Sequence, residues 1–116
     1  MRCLSLNIPF PSSRRTGWNG TTTRERDLAY HNGSTRPALV GPYCEVCFKM
    51  RGPAFLNKAQ WLVNGFYEDL NKHGVGAFSE LYDGDPPHEP HGAISSALST
   101  AALLEVEYLK NKYREE

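Results

Sequence analysis

The stretch from residue 76 to residue 92, G-A-F-S-E-L-Y-D-G-D-P-P-H-E-P-H-G, constrains this chain more than any other part of it. Its glycines and prolines break helical and strand periods, so the expectation is a loop without regular structure. Into that loop the sequence places Glu80, Asp83, Asp85 and Glu89 beside His88, His91 and Tyr82. Carboxylates crowded into a rigid loop suit a sugar site. They accept hydrogen bonds from hydroxyls, one of them can act as general acid or base, and a flat tyrosine ring can cover an apolar sugar face. An acidic surface loop is the plain alternative.

The punctuation on either side predicts helices. Residues 1–29 carry Pro9, Pro11, Gly17 and Gly20 among Ser, Thr and Arg, with no sustained period, and read as an irregular arm. After Pro37, the residues Leu39, Tyr43, Val46, Cys47 and Met50 recur at helical spacing until Gly52-Pro53 ends the run. A second helix is expected over residues 54–72, with Phe55, Ala59, Leu62, Phe66 and Leu70 on one stripe and His73-Gly74 as its stop. A third should run from 93 to 113, with Ile94, Ala97, Leu98, Ala101, Leu104 and Leu109 inward. No segment reads as a convincing strand. The expected class is all-α with about three long helices, residues 30–116 forming the helical part.

Two segments resemble motifs of the amylo-alpha-1,6-glucosidase family, the glycogen-debranching enzymes of bacteria and archaea. One is Ser79-Glu80-Leu81-Tyr82-Asp83-Gly84-Asp85-Pro86-Pro87-His88, similar to that family's Ser-Glu-(aromatic)-Asp-Gly-Asp-Pro-Pro-His run. The other is Arg26-Asp27-Leu28-Ala29-Tyr30-His31-Asn32-Gly33-Ser34-Thr35-Arg36-Pro37, similar to its R-D-x-A-Y-H-x-G-T-x-W-P. The resemblance implies a toroid of helical hairpins, the (α/α)6 barrel, of which this chain would supply the C-terminal hairpins. It implies hydrolysis of alpha-1,6-linked glucose in glycogen or maltodextrin, with inversion. Glu80 takes the place of the general base, while Tyr30, His31, Asn32, Tyr82, Asp83, Asp85 and His88 take those of sugar-binding residues. The general acid would lie outside this chain, so the missing N-terminal barrel portion is its implied partner. The family's aromatic residue before Pro37 is here Arg36, and the Gln and Trp of its third helix are Ser96 and Leu98. Related readings are a trehalase-like or mannosidase-like enzyme of the same barrel class, and a non-catalytic helical remnant or interaction module.

Composition trims the remaining options. A chain of 116 residues can bury roughly two-thirds of its unfolded surface, enough for one core. Thirteen basic and thirteen acidic residues balance, which points to neither nucleic acid nor an anionic membrane. The mean hydropathy of −0.53 leans hydrophilic, and no apolar run approaches a membrane span. Three cysteines make no disulfide framework, and the chain reads as cytoplasmic. His88-x-x-His91 with Cys44-x-x-Cys47 could suggest zinc, but Cys44 and Cys47 sit inside a helical pattern rather than a knuckle. No metal or other cofactor is expected.

Overall fold

The computed structural model describes residues 22–30, 34–72, 74–84 and 88–115. Helix α1 (Thr23–Tyr30) leads to strand β1 (Ser34–Thr35), and a 3-10 turn at Pro37–Leu39 feeds helix α2 (Val40–Arg51). A second 3-10 turn, Gly52–Phe55, joins α2 to α3 (Leu56–Tyr67). Strands β2 (Leu81–Asp83) and β3 (Pro90–His91) follow, and the long helix α4 (Ala97–Glu115) completes the order.

The protein is mostly helical, and α2, α3 and α4 stand where the three expected helices were placed. Proline stands at the first position of one 3-10 turn, Pro37, and at the second of the other, Pro53, where the turn asks for no hydrogen-bonded N–H, so each turn and the helix behind it start cleanly. Helix α4 begins at Ala97 rather than at 93, because Ser96 acts as its cap. The Ser96 Oγ accepts the Ser99 N–H at 3.3 Å, and the Ser96 carbonyl accepts the Thr100 N–H at 3.0 Å. Of the arm expected over residues 1–29, residues 1–21 lie outside the described residues, and the last part is helical from Thr23 rather than irregular, with the Thr22 hydroxyl and Glu25 bonded reciprocally in the manner of a capping box.

The inward faces differ from the expected ones on two helices. On α2 the buried residues are Val40, Gly41, Cys44 and Phe48, whereas Leu39, Val46 and Met50 are exposed. On α4 they are Ser99, Ala102, Leu103, Val106, Leu109 and Lys110, with Ile94, Leu98 and Leu104 outside. Only α3 keeps its expected stripe, through Phe55, Ala59, Leu62 and Phe66. Both displaced helices carry apolar residues most of the way round, so the pattern alone does not single out one face.

Two aromatic clusters tie the core together. Phe48 meets Phe55 edge-on at 5.2 Å and stacks on Tyr113 at 4.8 Å, which pins α2 to the end of α4. Phe66 meets Phe78 and Tyr82 edge-on at 6.2 and 6.0 Å, and carries the core from α3 into the segment after it. That segment is not the irregular loop expected from its glycines and prolines. It supplies two strands, β2 and β3, of a three-stranded antiparallel sheet in the order β1-β2-β3, with Ser34 opposite Asp83, Thr35 opposite Tyr82, and Leu81 opposite His91. Burial of Phe78, Leu81 and Tyr82 favours the extended backbone, and Pro90 lies on an edge strand, where a missing N–H is tolerated.

Candidate functional site

Glu80 stands immediately before β2 and is held from three directions. The Tyr30 hydroxyl, at the end of α1, donates to its Oε1 at 2.5 Å, and the Ala93 N–H donates to its Oε2 at 3.1 Å. The Arg36 guanidinium lies over the Tyr30 ring, 4.4 Å from its centroid, and its Nη1 is 3.8 Å from Glu80 Oε1. Arg36 also donates to the Tyr30 hydroxyl at 3.3 Å and to the Tyr30 carbonyl at 3.5 Å. The backbone completes the frame, with the Glu80 N–H donating to the Ala93 carbonyl at 2.9 Å.

Each of these partners favours the ionised carboxylate. The Tyr30 hydrogen bond and then the Ala93 N–H hold Glu80 below the ordinary glutamate value, with a smaller help from the Arg36 charge and against an opposing effect of burial larger than that of Arg36. The Glu80 side chain is 30% exposed, so these contacts do not enclose it completely. Gly92 makes this placement possible. Its φ is 72°, and a Cβ built there would stand 2.8 Å from Glu80 Oε2.

The rest of the loop braces itself. His91 Nε2 lies 3.1 Å from Asp83 Oδ2 across the sheet, and His88 Nδ1 lies 2.9 Å from the Asp83 carbonyl. A carbonyl only accepts, so that contact places the proton of His88 on Nδ1. The Asp83 N–H donates to the Glu89 carbonyl at 3.0 Å, closing the hairpin. His88 adopts a φ of 60°, a conformation that costs a non-glycine residue about 1–2 kcal/mol and that these bonds offset.

Of the residues anticipated for a sugar site, Tyr30 and Glu80 are brought into direct contact. Asp83 and His88 share the neighbouring hairpin. Tyr82 requires correction: its side chain is 1% exposed and its ring packs on Phe66, so it belongs to the core and offers no face to a sugar. The cause is strand alternation next to a helix, which turns the Tyr82 side chain toward α3. His31, Asn32 and Asp85 lie outside the described residues. Reading by motif overlooked Arg36, Ala93 and Gly92 as shapers of the Glu80 environment. The only signal was Arg36 itself, a cation where an aromatic residue was anticipated.

Among the described residues no cluster of three or more His, Cys, Asp or Glu side chains could hold a metal ion. Cys44 is buried and Cys47 partly so, both as free thiols, and burial pushes the Cys44 thiol up to about 12. No helix among them is long and apolar enough to cross a membrane.

Compared with known families, the chain matches Amylo-alpha-1,6-glucosidase over residues 13–105. No curated protein and no solved structure matches it.

Proposed function

Because this chain belongs to the amylo-alpha-1,6-glucosidase family, a group of glycogen-debranching glycoside hydrolases, we propose that it carries the water-activating half of such a site. Glu80 is the general base in hydrolysis of alpha-1,6-linked glucose from an alpha-glucan such as glycogen or maltodextrin, with inversion at the anomeric carbon. The observation that carries this reading is the set of donors around Glu80: Tyr30, Ala93 N–H and Arg36. A carboxyl group kept ionised can take a proton from water, and it is a poor source of one for the leaving oxygen.

Inverting hydrolysis needs a second carboxyl on the far side of the sugar, roughly 6.5–9.5 Å away, to protonate the leaving group. Asp83 is engaged with His91, which leaves it better suited to bracing the loop and accepting a sugar hydroxyl than to giving up a proton. By resemblance to the family, the acid is supplied by the N-terminal portion of an (α/α)6 barrel, and the chain acts with that portion rather than by itself. The free thiols of Cys44 and Cys47 fit a cytoplasmic setting.

The test uses residues 26–108 grafted into an intact homologous debranching enzyme in place of its own segment. Glu80→Gln keeps the shape and an acceptor oxygen but cannot take the proton, so turnover should fall by roughly 10²–10⁴-fold with substrate binding little changed. Asp83→Asn should weaken binding at least as much as it slows turnover, since a hydroxyl acceptor acts in the ground state too. An active graft in which Glu80→Gln hydrolyses the substrate within a few-fold of its parent shows that Glu80 is not the base. A second reading, a helical interaction module without catalysis, draws on Arg36 standing in place of an aromatic residue. It is favoured if the graft stays inactive even after Arg36→Trp and Leu98→Trp.

A further inference from the structure

Three polar residues behind Glu80 are buried and joined. Asp69, in the turn that follows α3, is 8% exposed, Ser79 is 4% exposed and Tyr82 is 1% exposed. The Tyr82 hydroxyl donates to the Asp69 carboxylate and accepts the Ser79 N–H at 3.3 Å. A phenol oxygen can do both at once, so each group satisfies the next without water. The chain of bonds starts on the helical core and ends on the residue next to Glu80.

We propose that Asp69 and Tyr82 are positioning residues that hold Ser79 and Glu80 in register, so that the Glu80 carboxylate meets Tyr30 and Ala93. This rests on the reading of Glu80 as the working carboxylate. The geometry behind it is specific. Glu80 is anchored on its far side by the Ala93 carbonyl and N–H, and on its near side the Ser79 N–H ends on Tyr82. Loss of the Tyr82 hydroxyl frees the near side, leaves the buried Ser79 N–H without this acceptor and takes a donor from the Asp69 carboxylate. Burial and the Asp69 bond raise the Tyr82 phenol to about 12, so the phenol stays protonated and the bridge stays intact through the neutral range.

The decisive measurement is the titration of the Glu80 carboxyl carbon in the full chain, followed by NMR with selective carbon-13 labelling of glutamate and assigned with Glu80→Gln. Selective labelling keeps the signal readable whether the chain is monomeric or associated. The groups facing Glu80 are the Tyr30 hydroxyl, the Ala93 N–H and the Arg36 guanidinium, and all lower its midpoint. Tyr82→Phe and Asp69→Leu should raise that midpoint toward the ordinary glutamate value, as the carboxylate drifts from its donors. Asp69→Asn keeps an acceptor for the phenol and should leave the midpoint near that of the parent. Removing the negative charge of Asp69 could act through space only to lower the midpoint, so a rise reports lost geometry. If Tyr82→Phe does not fold, the Asp69→Leu and Asp69→Asn pair carries the comparison. An unchanged midpoint in Asp69→Leu, or an equal rise in Asp69→Asn, overturns the proposal. The readout is independent of catalysis: failure of Glu80→Gln in the graft would remove the base assignment, while this titration still decides whether Asp69 and Tyr82 hold the side chain.

Discussion

At the scale of single residues, the Glu80 environment makes two outcomes measurable. The folded value of Glu80 lies below its unfolded one, so its contribution to stability is complete above the ordinary glutamate range and disappears as pH falls through the lowered value. Denaturant midpoints measured on the acid side should therefore fall more steeply for the parent than for Glu80→Gln. Gly92→Ala is the matching steric test. At a φ of 72° a side chain costs about 1–2 kcal/mol, and the added methyl would also press on Glu80. Equilibrium unfolding should show a loss of at least that size, and the Glu80 titration should move with it. Gly92 was legible in the sequence only as a loop terminator, because nothing in a linear string says which side chain will occupy the space that a missing Cβ leaves open.

Among elements, the close approach of α2 and α4 sets the most stringent condition. A Cβ on Gly41 would come within 3.3 Å of the Ala102 Cα, with the Glu105 carboxylate nearer still. Glu105 can swing away, whereas the α4 backbone cannot, so Gly41→Ala should force the helices apart at about 1–3 kcal/mol. Thermal unfolding followed by circular dichroism measures that cost, and a variant as stable as the parent would show that the two helices have slack. Helix positions were readable from Gly52-Pro53 and the proline-led turns. The faces of α2 and α4 were not, since Val46, Met50, Leu98 and Leu104 compete with the true inward residues for the same period. The small sheet was missed for a related reason: two or three residues per strand leave no alternation to read, and β1 pairs with a strand about fifty residues away.

For the whole molecule, the outward faces of α2 and α4 present Val46, Met50, Leu98, Leu104 and Tyr108, all more than half exposed. In a toroid of helical hairpins such faces meet neighbouring hairpins. In isolation, apolar surface of this kind promotes association. Light scattering on the purified chain should show a mass that grows with concentration, and Leu98→Lys with Leu104→Glu should reduce it without lowering helical content. A monomer with a sharp, concentration-independent thermal transition would count against the need for a partnering barrel portion.

The sequence by itself determined the helical class, the approximate extent of α2 and α3, and the family, because these rest on local spacing, on proline and glycine breaks, and on residue order within short motifs. It also pointed to Glu80 and Tyr30 as members of one site. Only the tertiary structure decided that Tyr82 is a buried bridge to Asp69 rather than a ring for a sugar, that Arg36 stacks on Tyr30 beside Glu80, and that Ala93 closes the other side of the carboxylate. The physical reason is distance along the chain. Tyr30 and Glu80 are separated by 50 positions, so whether a side chain there meets solvent, a carboxylate or an aromatic core depends on how α3 and α4 pack, and local residue preference does not encode that packing.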